Sequence, residues 1–442
     1  MFKAPIFFLA MIPVIFLQEA FAETITVTAS HPLNIASALE TAKDGDVIVV
    51  KPGVYHGPLV VNKSVKLIGE GMPVIDGENR GTVVRLEAPE VLFKGFKVIN
   101  SGDILGNDDA GLVAKAPRCR IEECVFENVL FGVYLKRSPE STLKKNVFKG
   151  KTLDVARRGD LLRIWFSDGA VLEDNKTTGG RDAVLWFSRN LRVTGNEFTG
   201  GRYGLHFMYC RDAMVEKNRL IRNSVGAYLM YSSGLKLREN FISENRGPSG
   251  FGIGFKDMDG ALVERNVIVN NRVGLFVDSS TQGSCRENLV AYNDIGLQIF
   301  PTARSNRFEQ NNVVDNTEQV ILDGQSAYTV NDWTGNFWSD YRGFDADRDG
   351  VGDVPHRPVK FFERLTDRSH ALKIFFGSPS VHAIDFAAAT FPVFQPSPKF
   401  SDERPLMDSV RLPVRAGGKT ASWLWILISA ALLSPLLVLF RL

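Results

Sequence analysis

Two short stretches, "GLHFMYC" (204–210) and "GAYLMYS" (226–232), each place a methionine four residues after a glycine, and the first adds His206 two residues before Met208. Two thioethers and an imidazole make a soft, low-coordinate donor set, and copper(I) is the ion that suits it best. Zinc ordinarily asks for more imidazole or thiolate. The same side chains would also serve as a plain contact patch beneath the carboxyl-terminal helices or a partner. Only the geometry of the surrounding chain separates these readings.

That geometry follows from a repeat. Asn146, Asn175, Asn196, Asn218, Asn240, Asn266 and Asn288 fall 29, 21, 22, 22, 26 and 22 residues apart. An apolar residue stands three positions before each, and another two positions after all but one, where Thr177 is the exception. Glycine is frequent fourteen positions earlier (Gly132, Gly204, Gly226, Gly252, Gly274), and a second asparagine column follows at Asn223, Asn245, Asn271 and Asn293. Short alternating runs separated by turns at this period predict an all-β fold, a right-handed parallel β-helix. The asparagines are read as structural, bonding along the stack at equivalent turns.

Alternation within a strand then assigns faces. Leu205 and Phe207 occupy columns that stay apolar in neighbouring coils, so they face inward, and His206 and Met208 face outward about 7 Å apart. Met230 takes the place of Met208 one coil on, about 4.8 Å away. The outer column reads Trp165, Trp186, Met208, Met230, with Tyr228 beside His206 and Lys256 and Asp278 beyond. Trp186 could cover a bound cation with its π face. An alternative chemistry is carbohydrate-active, a lyase or epimerase drawing on Arg163, Asp182, His206, Lys256 and Asp278, but no pair of carboxylates recurs at one register. A metal-free docking scaffold is the third reading.

The 442 residues carry a formal charge of +2 without basic blocks, which argues against a nucleic-acid partner. Residues 1–22 read as a secretory signal ending Ala-Phe-Ala. Four cysteines match no zinc spacing, and their pairing cannot be read from spacing. The helical pattern of 34–43, with Asn34 as N-cap, predicts a cap on a β-helix spanning 23–344. A helical extension and Pro-rich linker follow at 345–413, and 420–442 reads as a transmembrane tail, with Trp423 and Trp425 at interface level. In "DADRDGVGD", Asp345, Asp347, Asp349 and Asp353 match positions 1, 3, 5 and 9 of a calcium loop, but position 12 is His356 rather than glutamate. Calcium and a solvated acidic turn both fit that segment.

Taken together, "AKDGDVIVVKPGVYHGPLVVNKSVKLIGEG", the Asn/Gly coils, "GNFWSDYRGFDADRDGVGDVPHRP" and "SHALKIFFGSPSVHAIDFAAATFPVF" resemble the periplasmic NosD proteins, over nearly all of residues 23–405. These are copper-binding maturation factors for nitrous-oxide reductase. The resemblance implies a non-enzymatic role, receiving copper and passing it toward the reductase apo-protein for its copper-sulfur centre. It also implies an ABC transporter partner with a cytoplasmic ATPase and a membrane permease. The apolar tail is not a usual feature of the family, and it favours a body tethered to the cytoplasmic membrane beside that transporter.

Overall fold

The computed structural model describes residues 22–29, 34–322, 331–358, 362, 365, 369–375, 378–390, 398 and 400–411. The expected secretory signal, apart from Ala22, and the apolar run at 421–440 lie outside them. Among the described residues no helix is long and apolar enough to cross a membrane. Strands run from Thr24 to Trp338 and form three sheets of 14, 12 and 13 strands among the described residues, every neighbouring pair parallel. One coil illustrates the winding: Arg192–Thr194 lies in the first sheet, Glu197–Thr199 in the third and Tyr203–Met208 in the second. The expected parallel solenoid is the observed fold.

Strand alternation sends one set of side chains into a single core that extends from Val27 to Phe400. Leu205 and Phe207, Ala227 and Leu229, and Ile253 and Phe255 are all buried there. Between strands the chain turns through left-handed residues, and the ladder asparagine follows directly, as in Gly195–Asn196 and Lys217–Asn218. Asn218 Oδ1 accepts both the backbone N–H (2.9 Å) and the side-chain N–H (3.0 Å) of Asn196, while its own Nδ2 donates to the Val193 carbonyl at 2.9 Å. The column continues through Asn311 to Asn336, and the second column through Asn316. The recurrent glycines have a related cause: a Cβ on Gly204 would lie 2.6 Å from the Gly226 carbonyl oxygen and 2.9 Å from the Asn223 amide. Only glycine lets the asparagine stack approach the strand so closely.

Both ends of the stack are covered. The helix Ile35–Thr41 is capped by Asn34, whose side chain accepts the Ser37 N–H at 2.8 Å, and it buries Ile35, Ala38 and Leu39 over the first coil. The far end is closed by residues 400–411, part of the stretch expected to be linker. Phe400 packs on Trp333 and Trp338, and Leu406 pairs with Phe337 and Val351. Fully buried Asp402 terminates the asparagine column, accepting from Asn336 N (3.0 Å), Asn336 Nδ2 (2.9 Å) and Trp338 Nε1 (3.1 Å). Of the helical extension, a short 3-10 turn His370–Phe375 and the helix Pro379–Thr390 are present.

Replacing Asp402 with alanine orphans several buried donors at once, so it should cost about 3 kcal/mol or more in unfolding free energy. Urea denaturation measures this; a loss below about 0.5 kcal/mol would show that the column needs no terminator.

Candidate functional site

The second sheet carries the outward column in the expected register. Trp165 pairs with Trp186, Trp186 with Met208, Met208 with Met230, and Met230 with Lys256. Both methionines and both tryptophans are half-buried, on the side opposite the fully buried Leu205 and Phe207. His206 shares that outer side but is far less open than alternation alone suggests, at 8% exposed. Its ring is walled by Tyr203, edge-on at 4.9 Å between centroids, and by Tyr228, near-parallel at 6.5 Å. Neither imidazole nitrogen makes a hydrogen bond, and the indole N–H of Trp186 is also buried and unpaired. A buried nitrogen without a partner is costly, unless a ligand completes it.

Beside this column runs a feature the sequence reading missed. The residue after each outward side chain is aromatic on four successive coils: Phe166, Phe187, Tyr209 and Tyr231. Their rings stack in sequence at 5.0, 5.0 and 5.1 Å, nearly parallel. All four backbones are left-handed, with φ of 46°, 51°, 54° and 52°. A bulky residue there costs on the order of 1 kcal/mol or more, and ring stacking of about 0.5–1.5 kcal/mol per pair offsets it. Phe166, Tyr209 and Tyr231 remain exposed, so the soft column is bordered by an apolar ridge. A signal was available, since these positions follow Trp165, Trp186, Met208 and Met230 by one residue at the coil period.

Behind His206 lies a buried charge cluster. Asp182 Oδ2 stands 3.4 Å from His206 Nδ1, and Arg202 grips the same carboxylate, its Nε 3.0 Å from Oδ1. Burial pulls the Asp182 carboxyl upward, but His206 and Arg202 outweigh it and hold it below the usual range. Asp160, equally buried, has a looser partner in Arg181 at 3.3 Å, and burial together with the Asp182 charge pushes it up to about 6. The cysteines take no part. All four are free and buried, and burial raises Cys119 and Cys210 to about 11 and Cys124 and Cys285 to about 12. Thiolate ligands are therefore poorly available.

A family model described as periplasmic copper-binding protein (NosD) matches residues 148–343, which contain the whole outward column. A probable ABC transporter binding protein NosD from Stutzerimonas stutzeri is 26% identical over 387 residues, covering 80% of this chain and 85% of that protein. A protein of the same name from Pseudomonas aeruginosa is 32% identical over 115 residues, 26% of each chain. The chain is thus similar to the NosD proteins, most clearly over residues 148–343. Among solved structures, the Yersinia enterocolitica family 28 exopolygalacturonase superposes with a TM-score of 0.51 at 10% identity, covering 72% of this chain and 78% of that one. At that identity the likeness is one of fold alone.

The remaining candidates are dispersed. Arg163 pairs with Asp108 at 2.7 Å and stacks over Tyr134, and Lys256 pairs with Asp278 at 2.9 Å. In the acidic turn, Asp345, Asp347 and Asp349 bring carboxylate oxygens within 4.8 Å of one another. Partial burial raises the Asp345 carboxyl, but the Gly350, Arg348 and Asp349 N–H groups lower it further, leaving it below the usual range. Asp353 does not join that trio; it accepts the Ala346 N–H at 2.7 Å. His356 is buried against Trp338, its ring 4.9 Å away, with Nε2 3.7 Å from Asp340. Position 12 of the loop pattern thus serves the solenoid end.

An aspartate with a native pKa above its unfolded value keeps its proton longer when folded. Stability therefore falls as pH rises from about 4 to about 6 and stays lower above. Asp160→Asn keeps the neutral shape, so the variant should exceed the parent by about 1–3 kcal/mol near pH 7.5 and match it near pH 4. Denaturation at both values tests this, and an equal difference at both would contradict it.

Proposed function

We propose that this chain is a periplasmic copper(I) carrier that receives the ion on the outer face of its second sheet and passes it toward the copper-sulfur centre of nitrous-oxide reductase. The observation that carries the reading is the in-register Met208–Met230 pair beside His206, whose ring nitrogens are buried without a hydrogen bond. Thioether and imidazole donors favour copper(I) over harder or more thiophilic ions, and three neutral donors release it more readily than thiolates would. Trp186, one coil before Met208 and half-buried, covers the ion with its ring. The copper is cargo, bound for the reductase apo-protein.

The names of the curated relatives support a partnership with an ABC transporter, whose permease and ATPase would hold the body at the membrane. The apolar run at 421–440 is proposed as the tether. Calcium is proposed for the acidic turn at Asp345, Asp347 and Asp349, where it would stiffen the exit from the solenoid without entering the chemistry. A docking role is compatible with copper carriage, because the aromatic ridge of Phe166, Phe187, Tyr209 and Tyr231 lies along the same face. Of the groups that carbohydrate chemistry would need, Arg163 and Lys256 are tied up in ion pairs with Asp108 and Asp278.

Competition with a copper(I) chelator tests the assignment. The protein with Met208 and Met230 both changed to leucine, a substitution of similar volume, should bind more than about tenfold more weakly, a loss above about 1.4 kcal/mol. Unchanged affinity would remove both thioethers from the site.

A further inference from the structure

The strand pairing around His206 is irregular in one place. Asp182 pairs with Tyr203 and Val184 with His206, so the later strand carries one extra residue between those two points. A bulge of this kind re-aims a side chain. Here it accompanies the meeting of the imidazole with a carboxylate from the preceding coil, Asp182 Oδ2 to His206 Nδ1 at 3.4 Å. Asp182 has little freedom of its own. Its side chain is 2% exposed, two Arg202 nitrogens hold it, and its Oδ1 also accepts the Tyr203 N–H at 3.2 Å. Two tyrosine rings restrict the imidazole from its other sides.

We infer that Asp182 is the positioning residue of the site: its carboxylate faces His206 Nδ1 at 3.4 Å, favours the proton on that nitrogen, and so leaves the Nε2 lone pair for a soft cation. This inference rests on the proposed copper-carrier reading and adds to it a residue that touches no metal. The physical ground is that a neutral imidazole has one N–H and one lone pair, and the group facing its N–H decides which nitrogen is which. A carboxylate facing Nδ1 favours the proton there. Nε2 is then a lone pair that is buried and unbonded, on the sheet face that carries Met208 and Met230. A carboxylate behind a ligating histidine fixes ring orientation and makes the free nitrogen a better donor, and its loss typically weakens metal binding about 10–100-fold. Arg202 completes the chain by holding the carboxylate in place through two of its nitrogens.

Nitrogen-detected NMR of the full-length protein with labelled histidine resolves the arrangement, since the chain has only 6 histidines. The metal-free parent should show His206 protonated on Nδ1, and adding copper(I) should shift Nε2 alone. In Asp182→Asn that tautomer preference should be lost and copper(I) affinity should fall about 10-fold or more. A parent tautomer protonated on Nε2 would overturn the inference without any variant, even if Asp182→Asn failed to fold. So would a folded Asp182→Asn protein with unchanged tautomer and affinity. Failure of the carrier reading looks different: the parent would keep its Nδ1–H tautomer and yet not respond to copper(I).

Discussion

Each ladder asparagine commits its whole amide to the neighbouring coils. Asn218 accepts two hydrogen bonds from Asn196 at 2.9 and 3.0 Å and donates to Val193 and to Asn240, and Asn240, Asn266 and Asn288 repeat the pattern. Register along the stack is thereby fixed by side chains as well as by the parallel backbone ladder. A slip by one residue would leave buried amides unpaired and turn every core side chain outward. Asp402 closes the same column at its far end, so the C-terminal segment is tied into the constraint that orders the repeats.

Locked register has a chemical consequence. Residues at one position of successive coils become neighbours in space, so a site can be assembled by a single column of the sequence. The outward column of the second sheet uses this for a run that is polar at its ends and soft in the middle. Lys136 and Arg137 lie 5.8 and 5.3 Å from the Trp165 ring at one end, and Lys256 and Asp278 pair at the other. Between them stand two indoles and two thioethers. The stacked aromatic turns alongside are held in a backbone conformation that bulky residues ordinarily avoid, which places their apolar edges beside the column. The structure thus places two in-register thioethers and a stacked aromatic ridge on one face.

Much of this was legible in the amino-acid sequence because a solenoid converts period into proximity. The asparagine column, the inward Leu205 and Phe207 and the Met208–Met230 pairing each depend only on period and alternation, and the structure agrees with them. What escaped depends on neighbours that period does not specify. The enclosure of His206 arises from Tyr203, Tyr228 and an extra residue in one strand, and a one-residue bulge has no signature in spacing. The aromatic ridge mixes phenylalanine with tyrosine at a turn position where other coils carry Arg137, Asp257 and Ser279. Asp402 lies far along the chain from the column it closes, in a proline-rich context that reads as linker. His356 fits position 12 of a loop by number, but packing against Trp338 decides its direction.

The proposed carrier role requires one spatial arrangement: two thioethers and an imidazole within reach of a single soft ion at the outer face of the second sheet. Anomalous diffraction from crystals loaded with copper(I) locates such an ion directly. One copper peak within bonding reach of Met208 Sδ, Met230 Sδ and His206 Nε2, absent from the double leucine variant, is the expected result. Full copper occupancy elsewhere, with that face empty, would contradict it.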